Sequence, residues 1–288
     1  MSRRAAWWLA TLLAVAGAAR AEDGDPFVER DARLIGQALE AMPPQRPGTI
    51  DLYALSFAGD GTEDVFRNEA TYFTALMRQR FHARGALALV NHPDSTGDAP
   101  APLATYRNLR LALDGLAARM DRDEDLLVLY LTMHGTPQHE LAVHFPPYVD
   151  DLLLPEDLAT LLAEAGIVHR VVAISACFSG GFLPTLRDPD ALVLTAARAD
   201  RASFGCGTES AVTFFGHAWL VEGLNRHAGF VDAFDDAAAR IRGWERAERL
   251  RRSLPQSAVG ERIGPYLARW GAQAPPGPEL AYPHPLDP

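Results

Sequence analysis

Two long apolar runs constrain the fold of this chain more than any other feature. One is residues 126–133, LLVLYLTM, and the other is residues 171–176, VVAISA. Neither run alternates apolar with polar residues, which predicts strands covered on both faces, as in a parallel sheet packed between helices. The first run is followed by His134-Gly135 and the second by Cys177, so each predicted strand carries a chemically active side chain at its carboxyl end.

Strand and helix patterns alternate along most of the sequence. Strands are predicted at 50–57, 86–90, 125–133, 171–175 and 191–195, and helices at 65–83, 103–120, 155–165, 213–226 and 231–254. This alternation predicts an α/β fold of three layers, with a mostly parallel central sheet and helices on both faces. A small hairpin arm is predicted near 141–145. Sites in such sheets form beyond the carboxyl ends of the strands, which is where His134 and Cys177 are expected.

The chain is predicted to divide into four parts. Residues 1–21 form a signal peptide, 22–49 a helical extension, 50–254 the main domain, and 255–288 a tail rich in Pro and Gly that wraps the surface. The signal prediction depends on basic residues at Arg3 and Arg4, an apolar stretch over 7–18 and the cleavage pattern Ala19-Arg20-Ala21. An uncleaved anchor is the alternative. The pattern predicts export to the periplasm or the exterior.

Composition excludes several classes of function. The chain contains no lysine, which rules out a P-loop lysine and Schiff-base chemistry. Its net charge is −10, and it becomes −13 without residues 1–21, which carry three Arg and no acid. So acidic a chain is not expected to bind nucleic acid, or a membrane apart from its signal peptide. No zinc spacing is present, and neither a metal nor a cofactor is expected. The oligomeric state stays open.

The His and the Cys at the two strand ends predict nucleophilic catalysis. Each residue alone has an ordinary structural interpretation, since a lone His is often structural and a free Cys often packs as a small apolar residue. Gly135 after the His allows a close approach of a substrate, and Ser179-Gly180-Gly181 turns the chain soon after the thiol. A catalytic thiol needs a base and an oxyanion donor, and the two positions together offer both.

These blocks resemble the caspase-like cysteine peptidases, and the wider match is to the legumain family, peptidase family C13, which includes the catalytic subunit of the GPI transamidase. Three blocks carry the resemblance: 57–60 with 66–70, 129–136, and 175–180. In order, they resemble the family's Ala-Gly block with Tyr-Arg-His-Gln-Ala, its His block, and Glu-Ala-Cys-Glu-Ser-Gly. Residues 194–197 and 203–206 resemble the next strand and the substrate loop. We expect the chain to be an exported, bacterial-type member of this family.

The resemblance implies a cysteine-type endopeptidase acting on peptide or protein substrates. Cys177 would be the nucleophile and His134 the general base and acid, while the N–H groups of Gly135 and Cys177 would form the oxyanion hole. No firm third member is implied. Two alternatives stay open: a transamidase or peptide ligase on the same scaffold, and a non-catalytic binding protein that has kept the fold.

The resemblance also assigns a substrate pocket, from which this chain departs. Arg67 matches the family's pocket Arg, but Ser175 replaces the first pocket acid and His217 aligns with the second. Ser203 lies in the substrate loop. With these acids gone, Arg67 is expected to favour an acidic or neutral polar side chain, unless it pairs with a surface acid. Cys206 is expected to be a free thiol near Cys177; a reversible disulfide between them is the alternative.

Overall fold

A computed structural model of the chain describes residues 27–97, 100–207 and 209–286. The predicted signal peptide lies outside these residues. Among the described residues, eight strands are present: β1 (Leu52–Ala58), β2 (Gly85–Val90), β3 (Leu126–Thr132), β4 (Leu141–Phe145), β5 (Val149–Leu153), β6 (His169–Ser175), β7 (Ala191–Thr195) and β8 (Gln256–Val259). No helix in this part of the chain is both long and apolar enough to cross a membrane.

Six of these strands form one sheet in the order β2-β1-β3-β6-β7-β8. The first five are parallel, and β8 pairs with β7 in the antiparallel sense. The predicted mostly parallel α/β sheet is thereby confirmed. Strands β4 and β5 form a separate antiparallel hairpin, as the pattern near 141–145 predicted.

The apolar runs divide their side chains between two cores, one on each face of the sheet. In β3, the odd-numbered residues Leu127, Leu129 and Leu131 lie in one core. The even-numbered residues Leu126, Val128 and Tyr130 lie in the other. Successive strand side chains point to opposite faces, so a strand buried on both sides must be apolar throughout. Burial of each large apolar side chain contributes about 1.5–3 kcal/mol.

Helices cover both faces and complete the three layers. One core takes apolar residues from α1 (Val28–Glu40), α3 (Tyr106–Ala117), α4 (Pro155–Ala165) and the short α5 (Leu183–Leu186). The other takes them from α2 (Asp64–Gln79), the π-helix Gly216–Gly223 with α6 (Leu224–Arg226), α7 (Phe230–Ala247) and α8 (Ile263–Gln273). Two 3₁₀ turns, Pro93–Thr96 and Ser179–Phe182, follow β2 and β6.

The segment after Pro255 differs from the predicted surface tail. It adds β8 to the sheet edge and α8 to one face, where Ile263, Tyr266 and Trp270 are buried. Most of the prolines that suggested an irregular tail come after α8, whereas three of the four glycines lie within residues 256–273 and do not prevent regular structure there. A four-residue strand such as β8 has no periodicity long enough to be recognised without its partner β7.

Candidate active site

The sheet register brings the His134 and Cys177 loops together. Thr132 at the end of β3 pairs with Ser175 at the end of β6, and each candidate residue follows its strand by two positions. The N–H of Met133 continues the pairing by donating to the Ser175 carbonyl over 3.3 Å. Neighbouring strands run about 4.8 Å apart, so the two loops leave the sheet side by side.

Gly135 packs against the backbone of Cys177. A Cβ at this position would lie 2.2 Å from the Cys177 carbonyl oxygen, a distance that only glycine avoids. Gly135 also opposes Leu141 in an antiparallel bridge whose hydrogen bonds belong to its neighbours, Thr136 N–H to the Glu140 carbonyl and Ala142 N–H to the His134 carbonyl. In such a pair the backbone N–H of Gly135 points away from β4.

Two backbone N–H groups are available beside the thiol. Within the described residues, neither the Gly135 N–H nor the Cys177 N–H donates to a protein acceptor. The chain turns sharply just beyond, since Phe178 adopts a left-handed conformation with φ of 57° and donates its own N–H to the Arg201 carbonyl. A side chain of this size rarely adopts that conformation, and such strain concentrates at functional sites.

The Cys177 sulfur lies against Ser203 in the loop after β7, near two hydrogen-bond donors and the Ser203 carbonyl oxygen, which is 3.6 Å away. The backbone N–H of Ser203 donates to Sγ over 3.2 Å, and the Ser203 Oγ lies 3.6 Å away. A hydrogen bond from the Cys206 thiol, assisted by the Ser203 donors and by the charge of His134, lowers the pKa of Cys177 to about 6 against the opposing effect of burial. The thiolate, which is the reactive form, is therefore favoured at neutral pH.

The pKa of Cys206 is shifted in the opposite direction to that of Cys177. Its hydrogen bond to Cys177, together with burial, raises the pKa of the Cys206 thiol and keeps it protonated. Both cysteines are free in the structure. In this free form, the contact favours a thiolate on Cys177 and a protonated thiol on Cys206.

His134 is held by two side chains from the start of α2. The edge of the Phe66 ring meets it at a centroid distance of 5.0 Å and an angle of 85°. A carboxylate oxygen of Glu63 lies 3.5 Å from His134 Nε2. The imidazole itself is 38% exposed, so a substrate can reach it.

Ser175 lies beneath the site in a fully buried polar network. Its hydroxyl is 3.0 Å from that of Thr213, whose backbone N–H donates to Glu69 over 2.7 Å. Glu69 also accepts hydrogen bonds from the hydroxyls of Tyr130 (2.7 Å) and Thr132 (2.6 Å). Desolvation raises the pKa of Glu69 above its ordinary value. This network ties α2 to the sheet and to the segment before the π-helix.

Arg67 lies at the surface of α2 and is paired with two acids. Its guanidinium is 2.6 Å from Asp94 and 3.6 Å from Asp64. It also lines a cavity of about 310 Å³ between α2 and residues 280–284, which neither Cys177 nor His134 touches. Arg67 therefore forms the ion pair with surface acids that was the alternative to a role in the pocket.

His217 lies apart from the Ser175 network, on the π-helix. Its ring packs against Trp244 of α7 at 4.9 Å, and its Nε2 is 3.4 Å from Glu222. Burial lowers the pKa of His217. Thr213, four residues earlier, is the residue that meets Ser175. Nowhere in the described part of the chain do three or more His, Cys, Asp or Glu side chains form a cluster able to hold a metal ion.

A thiolate with a neighbouring imidazole and two N–H groups, at the carboxyl edge of an α/β sheet, is the arrangement of a cysteine peptidase. The chain belongs to the peptidase C13 family, whose model matches residues 111–265, more than half of the sequence. The match includes the loops of His134 and Cys177 and begins after Arg67. Among proteins with curated descriptions, none matches this chain.

Sequence reasoning missed Glu63 and Glu69. An acid at the start of a helix ordinarily indicates a favourable interaction with the helix dipole, so Glu63 carried no signal of its own. Glu69 stands where the resembling family has Gln. The departure from the family pattern at Glu69, together with Ser175 in place of the pocket Glu, was the one signal at these positions.

Proposed function

We propose that this protein is an exported cysteine endopeptidase that cleaves peptide bonds through a thioester on Cys177. The main support is the contact between the His134-Gly135 loop and Cys177, together with the hydrogen bonds that favour the Cys177 thiolate. Membership of the peptidase C13 family supports protein or peptide substrates.

Acylation begins with attack of the Cys177 thiolate on the carbonyl carbon of the substrate. The negative charge that develops on the carbonyl oxygen is accepted by the N–H groups of Gly135 and Cys177. As the tetrahedral intermediate collapses, the C–N bond breaks and His134, in its protonated form, gives a proton to the leaving amine. The product is a thioester between the substrate acyl group and Cys177, with a neutral His134.

Deacylation uses the same groups in reverse. His134 takes a proton from water, the hydroxide attacks the thioester carbonyl, and the C–S bond breaks to release the acid and regenerate the thiolate. An amine in place of water would give a new amide bond, which is the transamidase alternative. Product analysis by mass spectrometry with and without an added amine separates hydrolysis from ligation.

Specificity is proposed to come from the residues around Ser175, Ser203 and Arg67. Ser203 already meets the sulfur, so a substrate bound at Cys177 would lie along its loop. Arg67 can bind a substrate side chain only if its ion pair with Asp94 breaks. His217 can do so only if the π-helix brings its ring to the substrate. Cleavage of a peptide library would reveal the preferred residue; absence of any preference would refute a selective pocket.

A covalent probe tests the catalytic proposal. An acyloxymethyl ketone peptide is expected to label the wild-type protein and Cys206→Ala, but not Cys177→Ala, with peptidase activity lost in parallel. Full cleavage of a protein substrate by Cys177→Ala would refute the proposal. A binding protein would be favoured if Cys177→Ala kept the full cellular effect of the protein without cleaving any substrate. Mass determination of the protein recovered from the periplasm tests export, which predicts an N-terminus after Ala21.

A further inference from the structure

One acidic side chain beside His134 has no structural partner. Glu63 immediately precedes α2, and its side chain is only 16% exposed. Its Oε2 atom is buried and accepts no hydrogen bond from any residue that the structure describes. A buried carboxylate oxygen without a donor is costly, which makes it a candidate for a functional role.

The usual structural role for an acid at this position does not account for Glu63. A residue at a helix N-terminus often caps the helix through its side chain, but Glu63 makes no capping hydrogen bond. The next residue, Asp64, behaves differently, since it pairs with His92 at 2.9 Å and with Arg67 and is exposed. The two neighbouring acids therefore offer a matched comparison.

The nearest cation-forming group to the Glu63 carboxylate is the catalytic imidazole. Glu63 Oε2 and His134 Nε2 are 3.5 Å apart, slightly longer than a hydrogen bond, and such contacts often shorten only when substrate is bound. Phe66 packs against the same ring in an edge-to-face arrangement. The two atoms need to approach by only a few tenths of an ångström to form a hydrogen bond of ordinary length.

A bond at Nε2 would fix the chemistry of the opposite nitrogen. If Nε2–H donates to Glu63, the neutral imidazole carries its lone pair on Nδ1, which is then the atom available for proton transfer. The carboxylate would also stabilise the imidazolium that forms whenever His134 takes a proton. An oriented third group of this kind raises the efficiency of a nucleophile and base pair.

We propose that Glu63 is a positioning residue that holds His134 through Nε2 and completes a Cys177–His134–Glu63 arrangement. The proposal rests on the proposed peptidase function. If Cys177→Ala leaves cleavage intact, both fail; if Cys177→Ala abolishes cleavage while Glu63→Gln changes nothing, only this proposal fails.

The test compares Glu63→Gln with the control Asp64→Asn on two substrates of the same sequence. One is an amide, whose leaving amine needs a proton from His134. The other is an aryl ester, whose phenolate leaves without one. Glu63→Gln is expected to lower kcat/KM on the amide, which reports acylation, by roughly 10- to 100-fold, a fraction of the ~10²–10⁴ that acid–base catalysis supplies. The kcat/KM of the ester should fall by less than about a third of that factor. The kcat values are not compared, because deacylation of the shared thioester also uses His134.

Three results would overturn the proposal. The first is an amide kcat/KM within twofold of wild type, the second an equal loss of kcat/KM on amide and ester, and the third an equal loss of kcat/KM in Asp64→Asn. If Glu63→Gln does not fold, Glu63→Asp serves instead, since it retains the charge on a shorter side chain. It is expected to show the same selective loss on the amide to a smaller extent, and an equal loss on both substrates would again overturn the proposal.

Discussion

Glu63 and Glu69 flank the first turns of α2, and their environments are opposite. Glu69 is fully buried, and its carboxylate accepts hydrogen bonds from Tyr130, Thr132 and Thr213. Glu63 is mostly buried, and its Oε2 has no donor within the described chain except the imidazole of His134 at 3.5 Å. One acid is saturated by its own protein, and the other has an unused acceptor beside the site.

The difference indicates that the two acids have different roles, one structural and one functional. Saturated buried polar groups hold a structure in a single arrangement, while half-satisfied groups persist where function requires them. Glu69 joins α2 to β3 and to the segment before the π-helix, and so keeps Ser175 and Thr213 in place. Glu63 contributes little to that framework and lies where it can act on His134.

Replacement of Glu69 is expected to have the largest effect on stability. Glu69→Ala leaves two hydroxyls and one backbone N–H without their acceptor, each at about 1–3 kcal/mol, so the free energy of unfolding should fall by about 3 kcal/mol or more. Urea denaturation measures the change. Glu63→Ala serves as the control and should change the same quantity by less than about 1 kcal/mol; equal losses would remove the distinction between the two acids.

Gly135→Ala tests the contact between the His134 and Cys177 loops. The new methyl group would meet the Cys177 carbonyl oxygen at 2.2 Å, so the loops must separate and the proposed oxyanion donors move. Loss of one such donor costs roughly 10²–10³ in kcat, and a similar fall is expected on a peptide substrate. Gly243→Ala, with open space around the added methyl in α7, is the matched control. Full activity in Gly135→Ala would refute the oxyanion assignment.

Cys206→Ala is expected to change the pH dependence rather than the maximal reactivity. In the wild type the pKa of Cys177 is about 6, so iodoacetamide should react at a nearly constant rate above neutrality and more slowly as the pH falls through 6. Without the Cys206 donor that pKa rises, and the rate at neutral pH falls while the rate at pH 9 is kept. Cys206→Ser, which retains a donor, is the control; identical profiles for all three proteins would contradict the assigned thiol pair.

The smallest effects are expected at the pocket arginine. Arg67→Ala removes a partly exposed ion pair and should change the free energy of unfolding by less than about 1 kcal/mol. Asp94→Asn should release Arg67 and raise the rate of cleavage after acidic residues about two- to fivefold. This factor also corresponds to less than about 1 kcal/mol. If neither variant alters a peptide-library profile, Arg67 is a surface residue and has no part in specificity.

Much of the fold could be predicted from local patterns. The parallel strands, the hairpin and the helix Pro155–Ala165 have apolar runs or end signals that need no tertiary information. β8 and α8 could not be predicted in this way. β8 is only four residues long and is defined by its antiparallel pairing with β7. The π-helix Gly216–Gly223 was visible only as a helical pattern.

The candidate site was predictable only where it follows the sheet. His134 and Cys177 were recognised because each ends an apolar run, and parallel strands bring their carboxyl ends to one edge. Arg67 and His217 depended on alignment with a family pattern, and the structure gives Arg67 two acidic partners and His217 a place against Trp244. The direction in which a side chain points, and the residue with which it pairs, cannot be predicted from local periodicity.

The sequence by itself determined the layers, the sheet edge and the two candidate catalytic residues, because burial on both faces of a strand forces a continuous apolar run. Only the tertiary structure decided which acids matter. Glu63 meets His134, and Glu69 meets Thr213, across long separations in sequence, and such contacts depend on how α2 packs against β3. The same folding brought Cys206 to Cys177, and so made one thiol the donor to the other.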